Sequence, residues 1–146
     1  MSTANLKALV QFRLQQAEEA LGAATTLKRS GFSREVVNRA YYAMFYAVLA
    51  LLAVKKKETS KHHDAIGLFD LEFVKPGTFG KEFSEWLHAA FNLRLRSDYA
   101  PMFQVSQEQA EAILDKAGCF VAGVKSQLEQ FLSASDEANE HRDRPH

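Results

Sequence analysis

Apolar residues recur along this chain at steps of three and four. Between Asn5 and Ser30 they fall at Leu6, Leu9, Val10, Leu14, Ala17, Leu21, Ala24 and Leu27, the pattern of one amphipathic helix. Lys28 and Arg29 complement a helix C-terminus, and Gly31 can adopt the left-handed backbone that ends it. The spacing predicts a second helix capped by Ser33, with Phe32 stapled onto Val37, so that the first two helices form an antiparallel pair across a very short turn. That second helix contains an uncharged run, Ala40 to Val54, bounded by Arg39 and by Lys55, Lys56 and Lys57. A membrane span needs roughly 20 apolar residues, so the run predicts a helix buried on nearly every side, around which the others pack. Its tyrosines, Tyr41, Tyr42 and Tyr46, carry hydroxyls that need partners when buried.

Further along, a polar connector spans Lys55 to Lys61, and a shorter helix is expected from about His62 to Val74, closed by Pro76-Gly77. The next helix, about Phe79 to Ser97, places Phe83, Leu87, Ala90 and Arg94 on one stripe, so an apolar face ends in a guanidinium. Ser106 and Gln109 form a Ser-x-x-Gln capping box that opens a last helix running to about Leu132. The pattern predicts one domain over 1–133 and a frayed tail over 134–146, where no large apolar residue remains.

Composition narrows the function. The chain has 146 residues, with 18 Lys plus Arg against 18 Asp plus Glu, so no global field draws it to nucleic acid or to an anionic membrane. Any such binding has to come from a local patch. The one cysteine, Cys119, cannot form an internal disulfide and reads as a small core residue. With nothing resembling a signal peptide at the N-terminus, a cytoplasmic location is expected.

Arg94, Asp98 and Tyr99 form the most suggestive cluster. A buried arginine needs a reason. Two readings stay open: an i,i+4 ion pair with Asp98, or a polar pocket in which Arg94 holds an anion such as phosphate. Arg39 shares a helix face with Tyr42 and Tyr46, and two facing guanidiniums would suit phosphate and repel a metal. His62 and His63 are either an exposed pair at a helix start or, as neutral imidazoles, an acid or base. No metal-ligand spacing, glycine-rich phosphate loop or nucleophile elbow is present, and no metal or cofactor is expected.

Several segments together resemble the HEPN (higher eukaryotes and prokaryotes nucleotide-binding) domain family. They are Leu14-x-x-Ala17-x-x-x-Leu21, Gly31-Phe32, Val37-Asn-Arg-Ala-Tyr-Tyr-Ala-Met-Phe-Tyr-Ala47, Leu51-Leu52, His62, Leu68-Phe69, Glu72-Phe73-Val74-Lys75-x-Gly77 and Arg94-x-x-x-Asp98-Tyr99. The resemblance covers residues 5 to 132. It implies an all-α, up-and-down bundle of four long helices plus a short additional helix, and commonly a homodimer. Many such domains act beside a minimal nucleotidyltransferase as toxin and antitoxin.

Catalytic members of the family resemble metal-independent RNases with an Arg-x4–6-His motif. Here Arg94 is followed by Asp98 and Tyr99, without the histidine. A carboxylate cannot donate a proton at neutral pH as an imidazolium does, so Arg94 alone carries over, as the phosphate-facing cation. Tyr99 corresponds loosely to the tyrosine that partner nucleotidyltransferases are held to modify, at a shorter spacing. The expectation is a binding subunit without catalysis of its own, with Arg39, Tyr42, Tyr46, Arg94 and Tyr99 facing RNA or nucleotide. The alternative is an RNase toxin in which Arg94 and Asp98 are joined by His62 as acid or base. A third reading is a structural bundle whose polar cluster fixes the packing. A homodimer would use the fourth helix and the end of the second, opening both Arg94 side chains into one cleft.

Overall fold

The computed structural model describes the backbone of residues 3–143 and the side chains of residues 4–133. The order is α1 (Thr3–Arg29), α2 (Ser33–Val54), α3 (His62–Phe69), a π-helical turn (Asp70–Val74), α4 (Lys81–Tyr99) and α5 (Gln107–Asp143). This is an all-α bundle, and no strand occurs among the described residues. Helices α1, α3, α4 and α5 each pack against α2. Thirteen residues of α2 are buried, from Val36 to Ala53. By length and composition α2 would also cross a membrane, but 72% of its most apolar window is buried inside the bundle, the signature of a core helix.

The turn between α1 and α2 is a Schellman motif. Gly31 sits at φ 79°, its amide donates to the Lys28 carbonyl, and the Phe32 amide donates to the Leu27 carbonyl. The expected Ser33 cap is corrected: Ser33 is already helical, Phe32 occupies the cap position, and no side-chain bond closes it. Phe32 is also exposed, so the expected staple does not bury it. Two orphan carbonyls on the α1 side of the turn are satisfied by the Schellman bonds, which leaves chain reversal independent of a serine.

Helix α2 ends in the same motif without glycine. The Lys56 amide donates to Ala53 and the Lys57 amide to Leu52, with Lys56 at φ 56°. Beyond it, α3 runs into the π turn without a break, so the expected 62–74 segment is helical throughout but changes pitch at Asp70. His88 of α4 donates to Asp70 at 2.8 Å and ties this turn to the bundle. Gly77, at φ 89°, then reverses the chain. Helix α4 starts and ends two residues later than periodicity predicts, within the usual fraying.

At the start of α5 the capping box is closed in both directions: the Ser106 amide donates to Gln109 Oε1 at 3.0 Å, and the Gln109 amide to Ser106 Oγ at 3.1 Å. The α5 backbone continues to Asp143, while the side chains of the expected tail, and all of 144–146, lie outside the described residues. Cys119 is a second correction, being exposed. Ala117, Phe120, Val121 and Val124 take the core face of α5, and a residue two positions from Ala117 and one from Phe120 projects outward.

Candidate functional site

Three elements meet where the N-terminal half of α2 passes the start of α3 and the C-terminal half of α4. Helix α2 supplies Tyr41 and Tyr42, which the helical step points in different directions. Tyr41 is fully buried, whereas Tyr42 is half-buried beside it. Helix α4 brings Arg94, whose guanidinium carbon stands 5.3 Å from the Tyr41 ring centre and 5.2 Å from that of Tyr42. Arg39 lies 5.1 Å from the same Tyr42 ring. The two arginines are therefore gathered by one aromatic ring.

Neither arginine is hydrogen-bonded to a carboxylate among the described residues. Arg39 uses Nε and Nη2 to donate to Asn38 Oδ1, at 3.1 and 2.9 Å. Arg94 has its Nε 3.6 Å from Asp98 Oδ2, an ion pair too long for a hydrogen bond. Its side chain is only 15% exposed, and Nε has no hydrogen-bond partner. Asp98 is shared besides with Arg34 of α2, at 3.8 Å, a partner the spacing of Arg94 and Asp98 does not reveal. The i,i+4 pair thus exists, yet it leaves a buried guanidinium donor open.

His62 enters from α3. Its Nδ1 lies 2.5 Å from the Tyr41 hydroxyl, and its ring stacks on Phe45 at 4.3 Å. Burial, then the Arg94 charge, then His63, hold the His62 pKa below its ordinary 6.5. Burial pushes the Tyr41 phenol well above its ordinary 10.0, so that hydroxyl keeps its proton. A buried hydroxyl proton needs an acceptor, and His62 Nδ1 is the one within reach. Tyr41 accordingly donates to Nδ1, and the neutral ring carries its own proton on Nε2. At neutral pH His62 presents a donor.

Of the residues singled out in the sequence, Arg39, Tyr42, Arg94, Asp98 and His62 converge here. Tyr46 continues the row, 5.8 Å from Tyr42. Tyr99 does not join them: it is 74% exposed at the end of α4. Sequence reasoning noted that Tyr41 needs a partner but missed its place in the site, because the residue that satisfies it lies 21 positions away. No group of three or more metal-binding side chains occurs among the described residues. The arrangement offers guanidinium and imidazole donors and an aromatic wall, which is chemistry for an oxyanion attached to something flat.

Fold and site together define a helical bundle carrying a cluster of arginines and tyrosines, and the chain belongs to the HEPN domain family, whose model matches residues 10–127. Among its relatives is a Methanocaldococcus jannaschii protein named "Putative toxin", 35% identical over 115 residues, covering 79% of this chain and 78% of that protein. A second protein of that organism with the same designation is 35% identical over 123 residues, covering 84% and 91%. A Thermotoga maritima protein named only "UPF0332 protein" is 31% identical over 126 residues, covering 86% and 96%.

Proposed function

We propose that this chain is the HEPN subunit of a toxin–antitoxin type module, binding RNA or nucleotide phosphate at Arg94 without cleaving it. The observation that carries the reading is the Arg94 guanidinium, seated on two tyrosine rings with 15% of the side chain still exposed and no carboxylate among the described residues nearer than Asp98 at 3.6 Å. The names of the two Methanocaldococcus relatives support the class of module. Tyr46 offers its ring to a base and Tyr42 holds Arg39 and Arg94 in place, while the two guanidiniums offer donors to phosphates. The partner is a minimal nucleotidyltransferase in the cytoplasm, for which Tyr99 at the exposed end of α4 is an accessible target in the free subunit, before it dimerises. A homodimer through α4 would use the large apolar side chains left exposed there, Tyr99 and Met102.

The RNase alternative has one observation in its favour: His62 stands against Tyr41, whose ring also contacts Arg94. Its lone pair, however, is occupied by Tyr41, so His62 can act as a base only by releasing a buried hydroxyl. Binding is therefore the better-supported reading.

The test compares wild type with Arg94→Ala, both checked by circular dichroism, against labelled single-stranded RNA in chelator. Wild type should bind and leave the RNA intact. The variant should keep its helicity and bind roughly ten- to a hundredfold more weakly, the loss of one charge-assisted contact. Equal binding by both would refute the site. Cleavage by wild type that disappears in His62→Gln would establish the RNase reading in its place.

A further inference from the structure

A cavity lies at the opposite end of the α1–α2 pair from the Arg94 cluster, between the first turns of α1 and the last turns of α2. It has a volume of about 220 Å³. Leu6 and Leu9 of α1 and Leu49 and Ala53 of α2 form its walls. Its mouth is polar in an uneven way, with Arg13, Lys56 and Lys57 set against the single carboxylate of Glu58. None of these three cations is within ion-pair distance of a carboxylate among the described residues. Arg13 instead donates to the amide oxygen of Gln16 at 3.0 Å.

Two further features bear on what this cavity takes. Lys56 takes its left-handed backbone from the motif that closes α2, which fixes its place in the cavity lining beside Lys57. The negative end of α2 would by itself repel an anion. That end is already offset, because the carbonyls of Leu52 and Ala53 accept from the amides of residues 55–57, and antiparallel α1 presents its positive N-terminal end alongside. The volume exceeds the roughly 150 Å³ that holds a benzene, yet falls short of the roughly 300 Å³ from which drug-sized ligands are accommodated.

We infer that this cavity binds a small free amphiphile with one anionic head, an aliphatic or aromatic carboxylate whose apolar body lies on the leucines and whose charge meets Arg13, Lys56 and Lys57. The apolar walls supply the affinity and the unpaired cations supply the selection. The site shares no residue with the Arg94 cluster and is independent of the proposed function.

The experiment titrates octanoate into the isotopically labelled full chain and follows backbone amide resonances. Octanoate should shift the amides of 6–13 and 49–59 in a saturable way and leave those near Arg94 in place. The uncharged analogue octanol should bind at least about tenfold more weakly, the loss of a charge-assisted contact. Lys57→Glu, on an exposed turn, should weaken octanoate similarly without altering helicity, and Leu9→Trp should block it by filling the cavity. Absence of saturable shifts, equal binding of octanoate and octanol, insensitivity to Lys57→Glu, or a response only to anionic lipid vesicles would each overturn the inference.

Discussion

The hydroxyl of Tyr41 bonds to His62, and each residue fixes the other's protonation. Replacing Tyr41 by Phe should cost about 1 kcal/mol, read from urea unfolding, because Nδ1 of a half-buried ring loses its donor. His62 also sets a pH dependence. Above about pH 6.5 the ring is neutral whether the chain is folded or not. Below that, the unfolded chain takes up a proton that the folded one resists, so stability falls as pH drops toward the lowered folded value. His62→Gln should flatten this slope relative to wild type in unfolding curves collected from about pH 7.5 to about pH 5. Lys56 offers a change of the opposite sign. Its left-handed backbone carries a penalty of about 1 kcal/mol that glycine lacks, so Lys56→Gly should raise the melting temperature by about 3 °C.

Helices α4 and α5 approach closely at Gly123, where a methyl group would stand 2.6 Å from Phe83 Cζ. Alanine would gain up to about 1 kcal/mol in helix propensity and lose roughly 1 to 3 kcal/mol through overpacking. The contact should win, making Gly123→Ala destabilising by about 1 kcal/mol in thermal unfolding. Pairing it with Phe83→Leu should recover that loss, since the shorter side chain vacates the space. Elements were the most legible level of this fold. The three-and-four periodicity marks α1, α2, α4 and α5, and Gly31, Gly77 and the Ser106-Gln109 box mark three of the ends. Ser33 misleads because a Schellman turn already satisfies the chain reversal. Cys119 misleads because a small residue fits either face of a helix, and only the positions of its neighbours decide.

For the whole molecule, what the sequence withholds is proximity. Arg94 shows itself as an odd residue on an apolar stripe, but nothing in its own helix tells that Tyr41 and His62 gather around it, or that Arg34 shares its Asp98. Conversely, the row Arg39, Tyr42, Tyr46 is visible from helical spacing alone and survives intact. Dimerisation belongs to this scale too. Light scattering across a concentration series should report twice the monomer mass for wild type, and Tyr99→Asp combined with Met102→Asp should shift it toward the monomer.

The crossing of α2 by every other helix also dictates an order of events. Helices α1 and α2 are joined by a short turn and can pair while the chain is still being made, since their contacts are local in sequence. Arg94 arrives more than fifty residues after Tyr41, on a helix that docks only once α3 and the π turn have been laid down. A chain that ends before α4 can therefore hold the α1–α2 pair together with Arg39, Tyr42 and His62, and still lack Arg94 and Asp98. Only after synthesis has passed α4 can the Arg94 guanidinium settle against the Tyr41 and Tyr42 rings, so that cluster is among the last features of the fold to assemble.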